Sequence, residues 1–176
     1  MGVRTLYGVC LTLAAVSGSA AHGQTPAEAQ AGLQGRDGKE LGIIKLVNTP
    51  HGVLLNLQLR GFPAGVHSIH IHETGRCDAA TGFESAGDHF NPDAREHGFT
   101  RSGGSHAGDM PNLTVGQNGM LTADTLNARV TLSAGKTSLL GGDGSAVVIH
   151  SGADDYASQP AGNAGDRIAC GVIRRM

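Results

Sequence analysis

From residue 41 onward, apolar residues recur at alternate positions in short runs, the period of a strand with one buried face. Val53, Leu55, Leu57 and Leu59 alternate with Leu54, Asn56, Gln58 and Arg60, which predicts a half-buried strand. Leu41, Ile43 and the Leu46-Val47 pair predict a strand before it, joined through the turn chemistry of Asn48-Thr49-Pro50-His51-Gly52. Gly61-Phe62-Pro63-Ala64-Gly65 ends the second strand, and Val66 to His72 reads as a further extended segment. Leu113-Thr114-Val115 and Met120 to Ala123 flank Gln117-Asn118-Gly119. Asn-Gly suits a type I′ turn, so a hairpin is predicted there. Ala146 to Ile149 and Ile168 to Ile173 complete the apolar runs. Two stretches without periodicity, 73–111 and 151–166, are rich in Gly, His and Asp, and long loops inside a compact domain usually carry function. The pattern predicts an all-β fold, an antiparallel sandwich or barrel with two long functional loops.

The N-terminus follows another rule. Residues 1–21 hold one charge (Arg4), an apolar run from Leu6 to Val16, and the small residues Ser17 to Ala21, as a secretory signal peptide does. The run is shorter than the ~20 residues that span a bilayer. Cys10 lies within it without small residues just before it, so lipid attachment there is not expected. Residues 22–31 read as a flexible leader, and 32–176 as a single domain. With 28 Gly, 3% aromatic and 16% charged residues in a chain of 176, composition also favours strands and turns over helices. The net charge of −2, more negative once Arg4 is removed, excludes the basic footprint that nucleic acids select. Export places the mature protein in the periplasm or outside the cell, with no membrane association after signal removal. Cys77 and Cys170 then remain as an even pair in an oxidising compartment, where a bridge is expected; two free buried thiols are the other reading.

Nine histidines in a small acidic chain call for a metal hypothesis. His70 and His72 sit two apart on a predicted strand, so both rings face one side. The first long loop adds His89, His97 and His106, with Asp109 three residues on, a nitrogen and oxygen donor set that zinc favours. His150 ends the Val147 to Ile149 run. Six histidines and an aspartate exceed the needs of one ion, so either two ions or one ion with spare histidines is implied. His22 and His51 read as solvated, and His67, at odd spacing from His70, faces the other side as a structural residue. Glu73, Asp88 and Asp155 read as solvated or loop-stabilising. Asn112-Leu113-Thr114 fits a glycosylation pattern that is common by chance. A hydrolytic zinc enzyme would need an open zinc position and a carboxylate base, and neither is evident.

His70-Ile71-His72-Glu73-Thr74-Gly75-Arg76-Cys77, Gly87-Asp88-His89-Phe90-Asn91-Pro92, His97-Gly98, His106-Ala107-Gly108-Asp109 and Asp166 to Ile173 together resemble the copper,zinc superoxide dismutase family, in order, over residues 32–174. The resemblance implies a Greek-key β-sandwich or flattened barrel of immunoglobulin-like architecture, for which this family is a known example. It implies copper on His70, His72, His89 and His150, and zinc on His89, His97, His106 and Asp109, with His89 bridging the two metals. It further implies a Cys77–Cys170 disulfide, Asp154 as a carboxylate linking His70 with His97, and Arg167 and His89 as the residues acting on superoxide. The longer stretch from Cys77 to His89 and the shorter one from His150 to Arg167 resemble the bacterial periplasmic branch, whose members are monomers or homodimers. A copper- and zinc-binding protein of the same fold without turnover is the alternative, against which the full ligand set and Arg167 argue.

Overall fold

The structure, a computed structural model, describes residues 1–2 and 28–176; the expected signal peptide and the start of the leader fall almost wholly outside the described residues. Ten strands follow in chain order: β1 Glu28–Gly35, β2 Glu40–Thr49, β3 Gly52–Arg60, β4 Gly65–His67, β5 Ile69–His72, β6 Leu113–Val115, β7 Met120–Asn127, β8 Ala146–His150, β9 Arg167–Val172 and β10 Arg174–Arg175. Among the described residues the only helical pieces are two 3-10 turns, Ala79–Thr81 and Glu84–Ala86, so no helix there is long and apolar enough to cross a membrane.

The main sheet runs β5-β8-β9-β1-β2-β3-β7, all antiparallel, with β10 pairing the outer part of β1. After β3 the chain crosses to β5 at the opposite edge, returns to β7, and crosses again to β8, as Greek-key connections do. The sheet curls round one core that includes Ile44, Leu46, Leu55, Leu57, Ile69, Ile71, Leu132 and Val147, all fully buried. The alternation in β3 is observed as read: Val53, Leu55, Leu57 and Leu59 point inward.

Two expectations are corrected. Residues 28–31, assigned to the leader, form the first half of β1 and so belong to the sheet. Ala29 and Ala31 are fully buried, and Glu28 to Leu33 pair with β2. Small alanines gave this strand a weak hydrophobic signal, and the pairing energy comes from its neighbours. Second, Asn118-Gly119 does make a tight turn, with Gly119 at φ 71° and its N–H on the Gly116 carbonyl. The flanking strands then part, β6 to pair with β4 and β7 with β3. Burial of Leu113 and Val115 decides the partner of β6.

Candidate metal centre

The register of β5 on β8 builds the first half of the site. His70 lies opposite Val148 and His72 opposite Ala146, so both imidazoles share a face with His150, two residues past Val148, while Ile69 and Ile71 fill the core. The loop over 73–111 is laid along the outer edge of β5. Ile71 N–H donates to the Gly108 carbonyl (2.9 Å) and Phe90 N–H to the Ile71 carbonyl (2.8 Å). Gly108 is required at this contact, because a Cβ there would overlap the Ile71 carbonyl. The close approach carries His89 and Asp109 to the two histidines of β5.

Four ring nitrogens converge here: His70, His72, His89 and His150 each offer one, within 4.8 Å of one another. The other nitrogen of each ring is engaged, that of His89 by Asp109 of the second cluster. His70 Nε2 donates to Asp154 Oδ2 (2.8 Å), His72 Nδ1 to the Gly87 carbonyl (2.9 Å), and His150 Nδ1 to the Gly165 carbonyl (3.2 Å). These bonds fix each tautomer and leave His70 Nδ1, His72 Nε2 and His150 Nε2 as lone-pair donors. Together with His89 Nε2 they are buried and have no protein partner. Four orphaned buried nitrogens aimed at one point are costly unless something binds them. Burial, together with the neighbouring imidazoles, pushes His72 well below the usual histidine range and His150 down to about 3. Burial also lowers His89 to about 4, against the opposing hydrogen bond from Asp109. His72, His89 and His150 are therefore neutral at physiological pH.

The second cluster shares His89. Asp109 Oδ1 lies 2.9 Å from His89 Nδ1, 3.0 Å from His97 Nδ1 and 3.3 Å from His106 Nδ1, while Oδ2 accepts the Gly98 and His106 N–H groups (3.0 Å each). Burial would raise the Asp109 carboxyl, but the hydrogen bonds from His106, His89 and His97 outweigh it and hold it far below the usual range. Three imidazole nitrogens and one carboxylate oxygen form a closed N3O set, which suits a tetrahedral structural ion. Asp154 joins the clusters, accepting His97 Nε2 on Oδ1 (3.0 Å) as well as His70 on Oδ2. Burial lowers His97, but its bonds to the two aspartates prevail and push it up to about 9.

The sequence reading missed what holds these parts. Asn112 clasps the backbone of Asp154 through both side-chain atoms (2.9 Å each). Gln159 clasps His97 in the same way (2.9 and 2.8 Å). Arg129 donates to the Ser105 and His106 carbonyls at the turn before Asp109. Gly162 is forced, since a Cβ would strike Asp154 Oδ1 and His97 Nε2. His67 is structural as read, its ring nitrogens on the carbonyls of His150 (2.8 Å) and Pro63 (3.0 Å). Asp155 braces its own loop through Ala157, Ser158 and Asn163.

Both clusters open onto a cleft of about 660 Å³, whose wall includes His72, His89, His106, His150 and Arg167. Arg167, at the start of β9, donates from Nη1 to the Phe83 carbonyl (3.0 Å), with Nη2 3.4 Å from Glu84 Oε2. The loop carrying Phe83 is tied to β9 by the Cys77–Cys170 disulfide.

Residues 41–173 match the sequence profile of copper/zinc superoxide dismutase (SODC). The chain belongs to the copper/zinc superoxide dismutase family. A superoxide dismutase [Cu-Zn] of Aquifex aeolicus is 48% identical over 149 residues, covering 84% of this chain and 86% of the relative. One from Caulobacter vibrioides is 40% identical, covering 83% and 85%. The crystal structure of a SOD-like protein from Bacillus subtilis superposes with a TM-score of 0.78 at 39% identity, covering 81% of this chain and 96% of that one. The chain is an enzyme of this family, its cofactors are copper and zinc, and the two donor sets fit them.

Asp154 gives a direct check on the coupling of the two clusters. Asp154→Ala frees His70 Nε2 and His97 Nε2 together and is expected to weaken both metals by about 10–100-fold, the usual cost of losing an orienting partner. Chelator competition on the purified protein measures it. Unchanged affinities would mean that packing alone orients the two rings.

Proposed function

We propose that this chain is an exported superoxide dismutase in which His70, His72, His89 and His150 hold copper while His89, His97, His106 and Asp109 hold zinc. The observation that carries the reading is the set of four buried, unpartnered nitrogens beside a closed N3O set, with His89 giving one nitrogen to each. Copper, when bound, supplies a one-electron couple, by which one superoxide leaves as dioxygen and a second, with two protons, becomes hydrogen peroxide.

The chain's own residues supply the rest. Outer hydrogen bonds aim the free nitrogens of His70, His72 and His150, and burial keeps His72 and His150 neutral. His89 Nε2 faces the copper set and can hold a proton and pass it to the product, while Nδ1 stays with Asp109. The planar guanidinium fork of Arg167 can orient a small anion in the cleft. His72 and His150 are almost fully buried, so only a small molecule reaches their nitrogens. The bacterial relatives, the disulfide and the signal-like first 21 residues support a periplasmic location.

Metal content of the mature protein, measured with superoxide consumption on the same sample, tests the reading. About one copper and one zinc per chain with rapid dismutation is expected. Zinc alone, with no activity after copper is supplied, would favour a metal-binding protein of the same fold.

A further inference from the structure

Arg36 stands beside the same cleft, in the turn between β1 and β2, and has no part in the assignments above. Its Nε donates to the Arg167 carbonyl (2.8 Å). Its guanidinium rests on Gly82 of the disulfide loop, where a Cβ would come within 3.4 Å of Nη2. The β1–β2 turn, the start of β9 and the disulfide loop thus meet at one side chain. Histidines aside, Arg36 and Arg167 are the only basic residues among the described residues that line the cleft, against the acidic Glu73, Glu84, Asp88 and Asp166. Glu84 offsets part of the Arg167 charge. No carboxylate among the described residues pairs with Arg36, and its Nη groups donate to no protein acceptor there.

We propose that Arg36 is a second substrate-guiding cation, whose uncompensated charge draws superoxide toward Arg167 across an otherwise acidic rim. The inference rests on the dismutase reading. A fixed charge at a cleft wall raises the encounter rate of a small anion, and salt removes the effect. A residue that merely pins Arg167 through its carbonyl would act at every ionic strength.

The test uses the copper- and zinc-loaded protein with Arg36→Gln, Arg36→Lys and Arg36→Glu. At roughly 10 mM ionic strength, where charges act over about 30 Å, Arg36→Gln is expected to lose about two- to fivefold in kcat/KM. Arg36→Glu should lose more, and Arg36→Lys should stay near wild type. The four proteins should converge near 1 M salt, where the screening length is about 3 Å. Azide affinity, read from the copper absorption spectrum, should weaken in the same order. A loss that persists in high salt, or Arg36→Lys falling with Arg36→Gln, would make Arg36 a structural pin and overturn the proposal. Unchanged rates and azide affinities at low salt would also overturn it. A loaded wild type that fails to dismutate superoxide would instead sink the parent reading, and the azide series would still decide whether Arg36 attracts anions.

Discussion

Replacing His150 by alanine is expected to abolish dismutation and copper binding together while zinc and the fold stay in place. His150 belongs to the cluster with His70, His72 and His89 and to no other. Its strand is fixed by the pairing of β8 with β5 and β9 and by Val147 and Ile149 in the core, so the imidazole is not needed to hold the backbone. Truncation leaves the Gly165 carbonyl without its partner, a cost of about 1–3 kcal/mol that a domain of this size survives. Removing an orienting partner alone weakens a metal by about 10–100-fold, so removing a ligand should cost copper at least the upper end of that range. His89→Ala is the contrast, since it opens both sets and should release both metals. Copper and zinc per chain, superoxide decay and a thermal melt on one preparation check the result. Full turnover in His150→Ala would remove this residue from the copper set, and loss of zinc would show that the clusters cannot be separated.

The same residues show how far the sequence reaches. β3 was legible because four leucine-class residues keep strict period two beside polar neighbours, and the curled sheet buries one face. The gathering of His70 with His72 also followed from that period. The meeting of these two with His89, 17 and more residues away in a region of no periodicity, did not; that came from the resemblance of the motifs. Local chemistry misled at Asn118-Gly119, where a turn formed but tertiary burial chose different partners for its two strands. β1 was hidden by its small residues, whose burial depends on the sheet they join. Asn112, Gln159 and Arg36 act across separations of 42, 62 and 131 residues, and no local pattern marks a side chain whose partner is a distant backbone group.

Removal of the disulfide by Cys77→Ser with Cys170→Ser should cost more stability than any other change considered. The bond spans 93 residues, and the chain-entropy argument values closure of such a loop at about 4–5 kcal/mol, an upper figure. That corresponds to a fall in Tm of roughly 10–20 °C for a chain of this size. A small apolar cluster, Phe83 and Ala86 on Ala146 and Val148, would then hold the loop to the sheet together with hydrogen bonds to the Phe83, Cys77 and Gly87 carbonyls. The loop also serves the cleft. Its Phe83 carbonyl and Glu84 carboxylate steady the Arg167 guanidinium, and its end supplies the Gly87 carbonyl that fixes the His72 tautomer. Loss of the bond should therefore reduce turnover at temperatures below the new melt, with the zinc set (which takes no residue from the loop before His89) keeping its metal. Calorimetry and metal content separate these effects. A melt lowered by less than about 3 °C, under 1 kcal/mol on the same scale, would mean that Phe83 and its neighbours hold the loop unaided. A normal rate in a protein of lowered Tm would confine the disulfide to stability and leave Arg167 positioned by β9 alone.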